Sequence, residues 1–369
     1  ACSVRNGALY SGEGIQVTVT GNPNWSDASF RDLSRATSHA HAIADAYRRL
    51  GDGLLQHLHG SFALAILEPS IGQALIAVDR MGTTPRAFSA TGNTLVFASR
   101  ADAIRAHPAV SQELDPQGLY NYLYFHLVPS PGTIYRDIGK LLPGECLVYQ
   151  NASVHRSFYW QPEYQEPDTH EEQLSIELLS LLEKSVASCL TEDATGAFLS
   201  GGLDSSTVSG MLARLSVSKA DAYGIGFEAK GYDEMEYARA TARHFDVKLH
   251  EYYVTPQDVI EAIPRIAAAY DEPFGNASAI PAFYCARLAR QDGMSCLLAG
   301  DGGDEIFAGN ERYAKQQLFQ LYHRFPSAMR SGLIEPAFLG IPFAKHLPLL
   351  RKVRSYIEQA RLDMPARIE

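Results

Sequence analysis

Cysteine is scarce in this chain of 369 residues. The five present (Cys2, Cys146, Cys189, Cys285 and Cys296) are odd in number and widely scattered, which argues against a disulfide framework and fits no metal-ligand spacing. Long apolar runs are missing too. None approaches the roughly 20 residues of a membrane-spanning helix, so no membrane partner is expected. The first residues carry neither the charged nor the apolar region of a secretory signal, and the expected compartment is a reducing cytoplasm. The sequons at Asn151 and Asn276 then read as chance matches. An excess of positive charge is also lacking: 32 Lys and Arg stand against 42 Asp and Glu, a formal net charge of −10. Such a surface repels polynucleotides and anionic lipid, and no nucleic acid is expected as a partner. A nest of backbone N–H groups can still bind a small anion within an acidic protein.

What is present is an ordinary globular balance, 46% hydrophobic and 20% charged, on a chain long enough for two cores. Short apolar runs over 61–67, 73–79 and 94–99 read as buried strands, separated by Pro69 and Gly72 and by a stretch rich in Gly and Thr. An Ala-rich run over 38–50 has helical spacing. A short helix is expected over 115–124, capped by Asp115 with Pro116 at its first position. Residues 1–160 therefore read as an α+β layer domain. Two prolines and three acids within 161–168 mark a linker. Thr169 and Glu172 have capping-box spacing, and Leu174, Ile176, Leu178, Leu181, Leu182 and Val186 suit an amphipathic helix.

From there the rhythm becomes strand, turn, helix, strand. Strands are expected over 197–199, 222–227, 249–254 and 295–299, and helices over 234–244, 259–270 and 279–290. Alternation of this kind predicts a parallel sheet covered on both faces, with ligands beyond the carboxyl ends of its strands. The second domain runs over 161–369. Two Gly-rich loops follow strands, at Ser200 and at Gly300, and should face one site.

The first loop reads Leu199, Ser200, Gly201, Gly202, Leu203, Asp204, Ser205, Ser206. Its glycines bare backbone N–H groups, its serines add hydroxyl donors, and the helix that follows turns its positive end toward the loop. This suits a polyphosphate. No Lys-Ser/Thr pair closes it, so it is no Walker loop, and G-x-G-x-x-G is absent. Asp204 would repel a bare phosphate and makes sense with a bridging Mg²⁺. A bland Ser/Gly turn capping a helix is the competing reading. The second loop reads Ala299, Gly300, Asp301, Gly302, Gly303, Asp304, Glu305. Alone it could be an exposed acidic turn; beside the first, its acids can aim at the same metal.

Together these strings resemble the asparagine synthetase family, whose site is of the N-type ATP-pyrophosphatase kind. Residues 79–85, Asp-Arg-Met-Gly-Thr-Thr-Pro, resemble the Asp-Arg-x-Gly-x-x-Pro turn of the family's N-terminal glutaminase domain. Residues 60–63 and 128–144 are similar to its flanking segments, and Asp271, Glu272, Pro273 and Phe274 repeat a string of many members. The resemblance implies an Ntn-hydrolase-like, glutaminase-type α+β layer domain over 1–160, followed by a parallel-sheet ATP-pyrophosphatase domain. It implies adenylation of a small-molecule carboxylate by ATP with release of pyrophosphate, then attack by ammonia or another amine. By position, Ser200, Gly201, Gly202, Ser205 and Ser206 would hold the pyrophosphate end, and Asp204 and Asp304 would bind Mg²⁺. Leu199, Ile225 and Gly300 would touch adenosine. Asp301, where the family usually has Glu, would face the acyl group and help deprotonate the amine. A second copy of the chain is a candidate partner.

Departures from the family shape two further expectations. The glutaminase nucleophile is a free N-terminal Cys, but here Ala1 precedes Cys2. The Arg-His-Arg-Gly, Asn-Gly-Glu and Gly-Ser-Asp segments that hold glutamine are missing, with Thr37, Ser38, His39, Ala40 and His41 near the last one's place. The N-terminal domain is also short by several dozen residues, and a degenerate glutaminase is expected. His39 and His41, two apart on a helix, point to different faces and form no metal pair. The family's phosphate-neutralising Lys lies far downstream of the second loop, so the synthetase domain is expected to be incomplete at its C-terminus, with Lys345 and Lys352 as solvated surface. Against the amide-forming ligase stand another N-type ATP pyrophosphatase, such as a tRNA-modifying enzyme, and a non-catalytic ATP-binding or scaffold protein. Acidic charge and the lack of a basic patch weigh against the first. Intact Asp204 and Asp304 weigh against the second.

Overall fold

The computed structural model describes residues 7–165, 170–190, 194–227, 234–307, 309, 316, 319, 321–339 and 348–362. The chain divides into two compact units: Ala1–Thr169 with Pro256–Phe283, and His170–Thr255 with Tyr284–Glu369. The boundary drawn on the sequence thus runs close to the first crossing, while Pro256–Phe283 groups with the N-terminal residues.

In the first unit the strands are β1 (Gly7–Gly12), β2 (Ile15–Trp25), β3 (Leu58–Glu68), β4 (Gln73–Val78), β5 (Ala87–Thr91), β6 (Thr94–Ala98), β7 (Gly139–Lys140), β8 (Glu145–Gln150) and β9 (Ser153–Phe158). A six-stranded antiparallel sheet has the order β1-β2-β3-β4-β8-β9, and a smaller one the order β6-β5-β7. Helices α1 (Ala28–Ala36), α2 (His39–Leu50), α3 (Ala101–Arg105) and α4 (Pro116–Phe125) complete it. β3 has no polar face because both sides are covered. Phe62, Leu64 and Ile66 pack with Ala40, Ile43 and Ala44 of α2. Ala63 and Ala65 join Ile76, Phe88, Leu95 and Phe97 on the other side. That is why the sequence reads there as an unbroken apolar run rather than an alternation.

The caps follow the expected chemistry. Asp115 accepts from the amides of Gln117 and Gly118, with Pro116 inside the first turn, and Ser38 accepts from His41 N. His39 Nδ1 lies 2.7 Å from Ser34 Oγ, with burial lowering the imidazole's pKa, and His41 stacks on Tyr10. The Asp79 turn is built on one buried carboxylate. Its Oδ1 accepts from Met81 N and Thr83 N, and its Oδ2 from Thr84 N and Thr83 Oγ1, all within 3.1 Å. The family-like string at Asp271 and Glu272 acts within the same unit. Asp271 accepts from Ala101 N, and Glu272 accepts from Ile134 N at 2.7 Å and pairs with Lys140 at 2.6 Å.

The second unit holds β10 (Thr195–Phe198), β11 (Asp221–Phe227), β12 (Lys248–Val254) and β13 (Cys296–Leu298), all parallel, in the order β12-β11-β10-β13. Its helices are α5 (Glu171–Cys189), α6 (Leu203–Leu215) and α7 (Met235–His244). Helix α8 (Pro256–Ala269) belongs to the first unit, α9 (Ala279–Gln291) spans the division, and α10 (Gly303–Phe307) follows β13. Register sorts the faces. Ala197, Leu199 and Ala222 look toward α5, α6 and α7, whereas Phe198, Tyr223 and Ile225 pack with Cys285 and Ala289 of α9. The expected parallel sheet, covered on both faces, is what forms.

The expected amphipathic helix forms as α5, which starts at Glu171 with His170 as its N-cap; Thr169, the expected capping-box residue, lies outside the described residues. Along its stripe Leu174, Ile176, Leu178 and Leu181 are exposed, while Leu182 and Val186 pack with Ala197, Met211 and Leu212. Helical spacing tells that such a face exists, not that anything within the unit covers it. Cys146, Cys189, Cys285 and Cys296 are free thiols, and Cys2 is outside the described residues.

Because Asp79 is 2% exposed and satisfies four donors, Asp79→Ala leaves the N–H groups of a half-buried turn without their acceptor. Urea denaturation should show a loss of about 3 kcal/mol, against less than about 1 kcal/mol for truncating the exposed Arg214–Glu183 pair at Arg214.

Candidate functional site

Neighbouring parallel strands bring the two glycine loops together. β10 pairs with β13 through Thr195–Cys296, Gly196–Leu297 and Ala197–Leu298, so the chain leaves both at the same sheet edge. The first loop is braced internally. Ser205, nearly buried, has its Oγ 3.2 Å from Ser200 N, 3.0 Å from Ser200 Oγ and 3.2 Å from the Gly202 carbonyl. Gly202 N donates to Ser200 Oγ, and Leu199 N donates to Tyr223 O, fixing the loop's entry to β11. Gly202 caps α6 without a side chain, so the first turn presents backbone N–H groups rather than a serine or aspartate cap.

Across from it, Gly300 and Gly303 sit where no other residue fits. A Cβ on Gly300 would lie 2.7 Å from Asp204 Cβ and 2.9 Å from Ser205 N, and one on Gly303 would lie 2.5 Å from Asp204 Oδ2. The Asp204 carboxylate therefore rests on the second loop's backbone. Gly303 N donates to Gly300 O and opens α10, with Asp304 in its first turn. Asp204 is half-buried; Asp301 and Asp304 are exposed.

Of the residues singled out on the sequence, Ser200, Gly201, Gly202, Asp204, Ser205, Ser206 and Gly300 come together, with Asp301 and Asp304 on the adjoining loop. Leu199 and Ile225 do not share an environment. Leu199 is 1% exposed in the cluster with Met235 and Ala238, and Ile225 faces the opposite side of the sheet. Contact from Leu199 to a ligand would have to come from its backbone. Lys345 lies outside the described residues, and Lys352 is exposed on the helix Pro348–Ala360. Sequence reasoning passed over α7, which leans on the first loop: Ser206 Oγ is 3.0 Å from Thr241 Oγ1. No motif marks Thr241, since a contact between consecutive helices leaves no spacing signal.

The fold and site define a chain with an antiparallel α+β layer followed by a parallel sheet carrying two closely packed glycine loops at its carboxyl edge. The family model for asparagine synthase matches residues 177–367, and that for a glutamine amidotransferase domain matches residues 7–160. A Methanocaldococcus jannaschii protein, named as a provisional asparagine synthetase (glutamine-hydrolyzing) 2, is 32% identical over 295 residues, covering 78% of this chain and 57% of that protein. Asparagine synthetase (glutamine-hydrolyzing) 1 of Bacillus subtilis is 26% identical, covering 81% of this chain and 47% of its own length. Number 3 of the same organism is 25% identical over 98% of this chain and 59% of its own. The chain belongs to the asparagine synthase family, and it spans about half the length of the curated relatives it matches.

Ser205→Ala removes the hydroxyl that ties both ends of the first loop. Hydrogen exchange at Ser200 N should quicken about tenfold while amides of β11 keep their protection, which separates loop loosening from global unfolding.

Proposed function

We propose that this protein is an ATP-dependent amide-forming ligase: a small-molecule carboxylate attacks the α-phosphorus of ATP, pyrophosphate leaves, and ammonia or another amine displaces AMP. The observation that carries the reading is Asp204 packed on Gly300 with its carboxylate against Gly303, in the first turn of a helix capped only by a glycine. A kinase-type site would need a side-chain cation in the loop, and this loop has none.

In this reading the N–H groups of the first turn of α6 and the hydroxyls of Ser200, Ser205 and Ser206 bind the pyrophosphate end. Asp204 and Asp304 hold Mg²⁺. The residues fit that ion: Mg²⁺ takes one or two carboxylates and completes its shell with phosphate oxygens and water, so an all-protein cage is not required. Among the described residues no cluster of three His, Cys, Asp or Glu side chains forms such a cage. When bound, the ion would neutralise charge that builds on the leaving pyrophosphate. Asp301, exposed beside Gly300, would accept a proton from the attacking amine in this reading. Gly300 would lie along the nucleoside, with Leu199 contributing backbone. The carboxylate, the amine and assembly with a second copy belong to the same proposal.

Asp204→Asn should reduce Mg²⁺-dependent ATP affinity at least tenfold in calorimetry with the circular dichroism spectrum unchanged, and Gly303→Ala, which pushes a methyl into the same carboxylate, should do likewise. With acceptor acid present, labelled pyrophosphate should exchange into ATP. ADP as the nucleotide product would rule the mechanism out.

Cys2 is proposed to be no glutaminase nucleophile, because in this chain its nitrogen is an amide and an amide nitrogen cannot take the thiol proton. It lies outside the described part of the chain. Any release of glutamate from glutamine should be unchanged in Cys2→Ala; release that vanishes in that variant would overturn this.

A further inference from the structure

We propose that Thr241 is a positioning residue for the phosphate-binding loop, acting through the Ser206 hydroxyl. This deepens the reading of residues 200–206 as the pyrophosphate-binding segment and rests on it. Ser206 has a single hydroxyl proton. Left alone, that hydroxyl can turn inward and satisfy itself on a nearby carbonyl, as Thr207 does on Leu203 O at 2.9 Å in the same turn of α6. Instead Ser206 Oγ meets Thr241 Oγ1 at 3.0 Å. When Thr241 donates, an acceptor site on Ser206 is filled and the Ser206 proton is free to point at a phosphate oxygen.

The partner is held firmly enough to matter. Arg239 sits half a turn away on α7 and binds Glu251 of β12 through both carboxylate oxygens, with a further bond to Tyr253 Oη at 3.1 Å. Those bonds from Arg239 hold the Glu251 carboxyl below its usual range, so the tie to β12 stays ionised at neutral pH. The same helix presses on the loop at a second point. Gly201 has φ of 92°, and a Cβ there would lie 2.7 Å from Ala238 N and 2.7 Å from Tyr237 Cβ. Helix α7 thus touches the loop twice, by backbone contact at Gly201 and by a hydroxyl pair at Ser206. The first contact places the loop, and the second sets the direction of one donor.

The test measures binding of Mg·ATP and of inorganic pyrophosphate with Mg²⁺ by calorimetry, alongside thermal melting. Thr241→Val keeps shape and loses the hydroxyl; it should weaken both ligands about three- to tenfold with little change in melting temperature. Thr241→Ser should restore affinity to within about twofold, and Thr241→Ala serves as a second hydroxyl deletion. In a Ser206→Ala background, Thr241→Val should cost nothing more. Wild-type affinity in T241V, or losses in T241V and S206A that multiply in the double variant, would overturn the positioning role while leaving ATP binding in place. Wild-type protein that binds neither ligand would overturn the proposed function and this role with it.

Discussion

A carboxylate resting on a backbone that has no room for a Cβ is the constraint around which the second unit is arranged. Asp204 lies in the first turn of α6, and Gly300 and Gly303 close on it from the loop after β13. That approach is possible because β10 and β13 are hydrogen-bonded neighbours, although about a hundred residues separate them. Parallel strands need crossovers, and those from β10 to β11 and from β11 to β12 are the single helices α6 and α7. The sheet order, and not any local preference, makes the two acidic loops one site.

The first unit solves a different problem, that of keeping turns and crossings rigid without large side chains. It does so by burying single carboxylates with all their donors supplied. Asp79 satisfies its own turn, Glu145 takes Arg156 through both oxygens and Leu142 N besides, and Glu272 takes Ile134 N and Lys140. Burying such groups gains little over apolar packing, but removing one partner costs about 3–5 kcal/mol because the other is left charged and unpaired. Each is therefore a point at which the chain tolerates little change. The string at Asp271 and Glu272 acquires a physical meaning in this way: both carboxylates tie Pro256–Phe283 to the N-terminal layer.

Family membership and this arrangement meet in the same residues, since the asparagine synthase match over 177–367 includes both loops and α7. The family models span both halves of the chain, whereas the geometry is local to two loops and a helix. The layer matched by the glutamine amidotransferase model has a two-sided apolar core around β3. Such a core is kept by packing, whereas function resides in a handful of polar side chains grafted on it.

Much of this was legible before any coordinates. The cap at Asp115, the helix over 38–50, the buried strands around Leu64 and Ile76, and the alternation that makes a parallel sheet all rest on local patterns, because caps and periodicity act over a few residues. The phosphate loop was legible for the same reason: glycines, serines and an acid stand together in one segment. Strands β1, β2, β8 and β9 were not read, although β2 alternates from Ile15 to Thr20 with its apolar residues buried. The helical spacing of α5 was legible, but which part of its stripe is covered was not, because periodicity reports a face and not its cover. Leu199 and Ile225 were placed together by family position, and register set them on opposite sides of the sheet. Sequence alone thus determined which segments are the candidates for the chemistry. Tertiary structure decided which of them touch, and that Thr241 reaches Ser206, because contacts between distant segments depend on strand order and helix packing that no short stretch of residues encodes.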